Sequence, residues 1–326
     1  MNYLPLLAMR VLNRPQMLLP EKLATIMMLL DGRIGSDASN LSAHAGAMPV
    51  ISRPEIGNRT SPHFSAIGGV AVIGVVGTLV ARGDLITNSS GVLSYDRLQA
   101  QIRHALADDS ISAIVFDIDS PGGEAIGAFE LADFIRYAAT RKPIVSSVTG
   151  LCCSAAYAIA ASTSRIVATK SSLVGSIGVI GCHIDRSDQM KSAGLTPTLI
   201  YAGDRKADGN SFERLSDEAR TILQKEVDAL MKMFADTIAE GRPQLSMDAI
   251  YAQQAAVYMG ADAIDAGLVD EIATLSDVVR KLSVVHKAAA LKGPKVQVFA
   301  SQDEVDRARA AGVRAGAALA MTKIKA

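Results

Sequence analysis

Two stretches of this sequence carry residues whose types and spacing could do chemistry. The first is Asp119–Glu124, Asp-Ser-Pro-Gly-Gly-Glu, which directly follows an apolar run. A Pro-Gly-Gly turn lets the backbone approach a ligand with its N–H groups exposed, and such groups hold an oxyanion or a phosphate. The same tripeptide also serves as an ordinary strand-to-helix turn. It is no P-loop, because no Gly-Lys-Ser/Thr follows. The second stretch is Gly150–Ser162, where Cys152, Cys153 and Ser154 stand side by side before a run of small residues. A serine in that position is commonly a helix N-cap. It is also where a nucleophile is best exposed, with the N–H of Ala155 pointing to the place where a tetrahedral oxygen would form. The two cysteines are intrinsically better nucleophiles, but no basic context marks them, and small core residues is the plainer reading.

A nucleophile needs a base. The chain has five histidines, His44, His63, His104, His183 and His286. Only His183 follows an apolar strand, and none has a recognisable partner. Lysine is the other option, and composition does not choose among the lysines.

The elements that must position these residues alternate as in α/β proteins. Val70–Val80 reads as a strand, Ser94–Asp108 as a helix and Ser112–Asp119 as a strand. A Gly turn precedes a helix over Ala125–Thr140. Lys142–Val148 is the next strand, followed by the small-residue helix. Arg165–Thr169 and Leu173–Gly181 read as strands, Asp185–Ser192 as a helix, Thr196–Ala202 as a strand. A long helix begins at Ser216, with Ser216 as N-cap, Asp217 and Glu218 suiting the dipole, and apolar residues at helical spacing through Ile238. Strands alternating with helices imply a largely parallel sheet covered by helices. The expected division is an arm and linker over 1–62 with a helical patch at Glu21–Leu30, a catalytic domain over 63–282, and a charged, Ala-rich helical tail over 283–326.

Bulk properties narrow the function. Lys plus Arg and Asp plus Glu are both 33, which argues against a broad nucleic-acid footprint. Apolar residues at 49% allow a sizeable core. Three cysteines, Cys152, Cys153 and Cys182, make no disulfide framework and no zinc spacing, and suggest a reducing compartment. The run Ala66–Ala81 is shorter than the about 20 residues of a spanning helix and is rich in Val and Gly, so it reads as buried strand. The apolar N-terminal stretch is interrupted by Arg10, Arg14 and Pro15 and lacks a signal-peptide cleavage pattern. A soluble chain without a membrane anchor is expected.

Four ordered blocks give a further lead: Asp119–Glu124, Ser154–Gly181, Ala202–Asn210 and Gly260–Ile272. Together they resemble the signal peptide peptidase A family of Ser–Lys peptidases, most closely its branch of bacteriophage head-maturation proteases. The resemblance spans about Ile67 to Ile272. It implies a Clp protease/crotonase-like α/β superhelix and a serine endopeptidase working through an acyl-enzyme, with no metal or cofactor. It places Ser154 on the nucleophile, Lys206 on the general base and Ser176 on the hydroxyl that orients the lysine. Gly122, Gly123 and Ala155 fall on the oxyanion hole. Ala155–Ala156 replaces the Gly-Gly of many relatives, and the Cys152–Cys153 pair is unusual. An ordinary lysine, with a pKa of about 10.4, is neutral in about one molecule in 2,500 at pH 7. The base must therefore be desolvated, and assembly into a homo-oligomer is one way to do it. Expected substrates are phage scaffold, portal or capsid proteins, in the bacterial host cytoplasm within assembling proheads. The rival readings are a cellular signal-peptide or membrane-protein peptidase of the same family, and a catalytically silent capsid-assembly protein.

Overall fold

A computed structural model of the chain describes residues 11, 14–30, 59–60, 63–83 and 92–291. Its strands are β1 (Gln16–Leu18), β2 (Arg59–Thr60), β3 (Ser65–Ile67), β4 (Val70–Val76), β5 (Thr78–Val80), β6 (Val92–Ser94), β7 (Ala113–Ser120), β8 (Gly122–Glu124), β9 (Ile144–Cys153), β10 (Arg165–Ala168), β11 (Leu173–Gly175), β12 (Val257–Met259) and β13 (Glu271–Ile272). The helices are α1 (Pro20–Leu30), α2 (Tyr95–Ala107), α3 (Ala128–Ala139), α4 (Ala155–Ala161), α5 (Ser187–Ser192), α6 (Asp217–Gly241), α7 (Met247–Ala252), α8 (Ala261–Asp265) and α9 (Leu275–Leu291).

The larger sheet runs β12-β11-β9-β7-β4-β3-β2, with β10 beside β9 and β13 beside β10. Its centre, β4, β7 and β9, is parallel. Val, Ile and Phe fill these strands because both faces are covered: Ile73, Ile114, Phe116, Ile118 and Val148 are all fully buried. Strand β9 forks. Its first half, Val145–Val148, pairs with β10, and its end, Leu151–Cys153, pairs with β11. The smaller sheet is β1-β8-β5-β6.

Several expected elements stand where the residue pattern places them. Ser94 caps α2 by accepting the Arg97 N–H at 3.2 Å, and Ser216 caps α6 by accepting the Ala219 N–H at 3.1 Å. Helix α6 closes on α4 at Gly241, where a Cβ would stand 1.8 Å from the Ala161 carbonyl oxygen. Only glycine permits that approach.

Other boundaries differ for identifiable reasons. The expected strand Val70–Val80 is two strands in different sheets, broken at Gly77, whose φ is 82° and whose N–H bonds the Asp119 carbonyl at 3.0 Å. Helix α3 begins at Ala128 rather than Ala125, because Gly127 before it is left-handed at φ 88°. The strand expected over Leu173–Gly181 stops at Gly175, where Ser176 turns to positive φ; beyond it there is one isolated bridge, at Ile180. Thr196–Ala202 is not a strand. It has the β-branched and aromatic residues of one, but it is assigned to no strand pairing and leaves Ile200 96% exposed. The expected linker over 36–62 and the tail beyond Leu291 lie mostly or wholly outside the described residues. Part of the expected arm is integral to the fold: Gln16, Met17 and Leu18 are buried as β1.

Candidate active site

The end of β9 feeds into α4 through Ser154, and the backbone there is strained. Ser154 has φ 56° and ψ −120°, a region that L-residues avoid. The distortion is imposed from both sides. Its N–H donates to the Gly175 carbonyl at 2.9 Å, prolonging the β9–β11 ladder, while its carbonyl already accepts from Tyr157 and Ala158 in α4. One residue turns the chain from strand to helix. The Ser154 side chain is buried, and its hydroxyl donates to the Gly178 carbonyl at 3.3 Å. All seven residues of α4 are buried, five of them Ala, so the helix can seat against the sheet.

The Asp119–Glu124 turn is pinned beside this elbow. The Ser120 hydroxyl donates to the Gly77 carbonyl at 2.7 Å and accepts the Gly122 N–H at 3.2 Å. Gly122 has φ 98°, and a Cβ on it would lie 3.0 Å from Ser154 Cβ. Gly123 fits just as closely, since a Cβ there would stand 1.8 Å from the Leu79 carbonyl oxygen. The turn is therefore glycine for steric reasons, and its backbone borders Ser154. Of the two glycines, Gly122 has its N–H taken by Ser120. Ala155 is the first residue of its helix, so its N–H has no intrahelical acceptor.

Asp119 holds the sheet together where the β7–β9 register shifts, between Ile118 and Ser120. Its carboxylate accepts the Leu151 N–H at 3.0 Å, replacing a lost ladder bond, and Gly150 leaves room for it. Sequence reading missed Ser120 and Asp119 as positioning groups, although both stand in the quoted hexapeptide.

Ser176 follows β11 as Ser154 follows β9. Gly175 is registered with Cys153, so the two serines are successive ends of neighbouring parallel strands, about 5 Å apart at the backbone. Ser176 also has positive φ, 52°, and its N–H bonds the Ala256 carbonyl at 2.8 Å. Lys206 is placed differently. It sits exposed in the turn-rich segment 203–209, with its own N–H on the Gly203 carbonyl. That segment is tied to the chain leaving Ser176: His183 Nε2 lies 2.9 Å from the Asn210 carbonyl, and the Arg186 N–H bonds the Ser211 carbonyl at 2.9 Å. The structure thus brings Ser154, Ser176, Ala155 and the two glycines together. Among the described residues, it records no hydrogen bond or ion pair from the Lys206 ammonium, to Ser154 or elsewhere.

The cysteines are sealed in. Burial pushes the Cys153 thiol up to about 12 and holds Cys152 well above its ordinary value. Neither is a thiolate near neutral pH. Of the histidines, His183 is engaged with Asn210, while His63 and His104 stack on each other at 3.7 Å. His44 lies outside the described residues. Among the described residues no cluster of His, Cys, Asp or Glu could hold a metal ion.

A parallel sheet, a strained serine between strand and helix, and a Pro-Gly-Gly turn against it define a Clp protease-like α/β peptidase scaffold. The Clp protease family matches residues 79–176, and peptidase family S49 matches residues 136–290. Both likenesses are to peptidase families, and that to family S49 takes in nearly half of the chain. The chain is 37% identical over 246 residues to the head-tail preconnector protein of Enterobacteria phage P21, covering 76% of this chain and 49% of that one. It is 34% identical over 284 residues to the capsid assembly protease C of Escherichia phage lambda, covering 85% and 64%. Protease 4 of Salmonella typhi is 29% identical over 218 residues, 66% and 35%. The chain therefore spans about half to two-thirds of the two phage relatives. No helix among the described residues is long and apolar enough to cross a membrane.

Proposed function

We propose that the protein is a serine endopeptidase of phage head maturation, working through a Ser154–Lys206 dyad and cutting scaffold, portal or capsid proteins inside assembling heads. The observation that carries the reading is the Ser154 elbow, a strained, buried serine bordered by Gly122 and Gly123 and followed by the Ala155 N–H. Ser154 Oγ attacks the scissile carbonyl carbon as Lys206 Nζ, in its neutral form, takes the hydroxyl proton. The N–H groups of Gly123 and Ala155 hold the oxyanion, with Gly122 shaping the turn. Collapse breaks the C–N bond, and the proton passes from Lys206 to the leaving amine. Water, deprotonated by the same lysine, then releases the acyl group. Ser176 orients the lysine.

Lys206 is exposed within one chain, and the segments around it leave Leu195, Ile200, Tyr201 and Phe212 in water. Covering that apolar strip with another subunit would desolvate the lysine and favour its neutral form. A homo-oligomer is therefore part of the reading. The phage character rests on the names of the relatives, head-tail preconnector protein and capsid assembly protease.

A fluorophosphonate probe tests the chemistry directly. It should label Ser154 in the wild-type protein and fail on Ser154→Ala and on Lys206→Met. Absence of labelling in a folded, assembled wild-type protein would favour a silent assembly component instead.

A further inference from the structure

Strand β1 has an unusual position. It lies antiparallel to β8, with Met17 opposite Gly123 and Leu18 opposite Gly122. On its other side Gln16 exchanges both backbone hydrogen bonds with Ile180, at 2.7 and 2.9 Å. The segment Arg14–Leu19 is thus threaded between the Pro-Gly-Gly strand and the chain that leaves Ser176. Ser154 borders both: a Cβ on Gly122 would lie 3.0 Å from its Cβ, and its hydroxyl donates to the Gly178 carbonyl.

The register makes the overlap specific. The Leu19 N–H bonds the Pro121 carbonyl at 3.0 Å. Bonding in an antiparallel ladder alternates, so Leu19 and Met17 face β8 while Gln16 faces Ile180. The Gly123 N–H is thereby turned to the Met17 carbonyl. A Cβ built on Gly122 would meet the Met17 carbonyl oxygen at 2.2 Å and Ser154 Cβ at 3.0 Å, so the two border the same small space. Met17 is fully buried, and Leu18 packs in a cluster with Val11, Leu23 and Ile26. Upstream, Arg14 and Pro15 line a cleft of about 390 Å³ bounded also by His183, Leu215 and Leu223.

We infer that Arg14–Leu19 is a resident pseudosubstrate, an extended strand of the protein's own chain that fills the peptide slot and competes with substrate. This rests on Ser154 being the nucleophile and Gly123 being an oxyanion donor. A peptide added as a strand needs the same backbone groups of β8 and Ile180 that β1 now uses, and an oxyanion cannot form at Gly123 while the Met17 carbonyl holds its N–H. Substrate therefore enters only in molecules whose β1 has left, and apparent affinity falls by that fraction.

The test uses the full chain and two opposite changes. Gln16→Pro removes the N–H that bonds Ile180 but keeps the Met17 and Leu18 side chains, and should speed fluorophosphonate labelling of Ser154 about tenfold. Gln16→Cys with Ile180→Cys, in a Cys182→Ala background, places two thiols across a backbone pair within disulfide reach. Once oxidised it should label at least tenfold more slowly, and reduction should restore the rate. The reversible cross-link stays informative even if Gln16→Pro fails to fold. A cross-linked protein that labels at the same rate before and after reduction overturns the proposal. If no form labels at all, the fault lies with the Ser154 assignment, and the slot is read by binding instead. Fluorescein-labelled Arg-Pro-Gln-Met-Leu-Leu should bind the reduced protein and not the oxidised one, as followed by anisotropy. Equal binding to both would again refute it.

Discussion

The Ser154 hydroxyl donates to the Gly178 carbonyl 3.3 Å away, while Ser154 itself is held at φ 56° and ψ −120°. A non-glycine residue in such a region costs about 1–3 kcal/mol. Glycine tolerates it, with an entropic cost of about 0.5–1 kcal/mol. Ser154→Gly is therefore expected to be inactive yet more stable than wild type by about 1 kcal/mol, a rise of a few degrees in Tm. Ser154→Ala keeps the strain and should be equally inactive without the gain. Thermal unfolding of both variants decides it; a Ser154→Gly protein less stable than Ser154→Ala would show that the elbow stores no strain.

The neighbouring cysteines make a second prediction. Burial raises the Cys153 thiol to about 12, so at pH 8 only about one molecule in ten thousand carries a thiolate there. Iodoacetamide at pH 8 should leave peptidase activity intact and react, where it reacts, at half-exposed Cys182. Cys153→Ala should keep activity within a few-fold and lose about 1 kcal/mol of stability from the small void. Inactivation that tracks alkylation of Cys153 would return the nucleophile to the thiol.

A third prediction concerns acid stability. The Asp270 carboxylate accepts from Arg242 at 2.7 Å and from the Ile166 N–H at 2.7 Å, tying α6 to β10. Burial alone would raise its pKa, but the Arg242 and Ile166 hydrogen bonds and the guanidinium charge outweigh that and hold it below the ordinary carboxylate range. A lowered folded-state pKa stabilises fully above the unfolded value of about 3.9 and is lost as pH falls through the folded value. Asp270→Asn leaves the buried Arg242 without its counter-charge and should cost about 3 kcal/mol at pH 7, the low end for such a pair because Asp270 keeps some exposure. Urea denaturation at pH 7 and pH 3 measures the difference between wild type and variant. It should shrink in acid; a constant gap would exclude the ion pair as its source.

Much of this architecture is legible in the residue pattern, because local rules and burial agree. β7, the first half of β9, α2 and α6 follow from apolar periodicity, and the expected cap at Ser216 is borne out by its hydrogen bond. The pattern fails where one chain does not decide the outcome. Thr196–Ala202 has strand composition without a strand to pair with, and the break at Gly77 depends on Asp119, which is distant in sequence. At the site, the clustering of small residues marks Ser154 but says nothing of its strain, which comes from being held by β11 and α4 together. The role of β1 is invisible in the sequence, since Gln-Met-Leu has no signal of its own and acquires meaning only between Gly123 and Ile180. Lys206 stands among Asp204, Arg205 and Asp208, and the geometry of a single chain leaves it there in solvent.

That exposure leads to the last prediction. The Ser154 elbow bonds the start of the 176–186 segment, at Gly178, and the Lys206 turn is tethered near its end, through His183–Asn210 and Arg186–Ser211. Ile200 is 96% exposed and Tyr201 54%, just before that turn. Apolar side chains so placed favour a protein contact over water. Head-to-tail contacts of this kind would form a ring if the rotation between subunits closes, and each lysine would then serve the serine of the next subunit. Ser154→Ala and Lys206→Met, each inactive alone, should regain up to about a quarter of wild-type activity when mixed in equal amounts and reassembled, because in about one interface in four an intact serine faces an intact lysine. Ile200→Asp with Tyr201→Asp should convert the assembly to inactive monomers by sedimentation. If mixing restores nothing while the double aspartate variant still loses activity, the dyad is completed within each chain and assembly only buries it. A monomer active at nanomolar concentration would remove both alternatives.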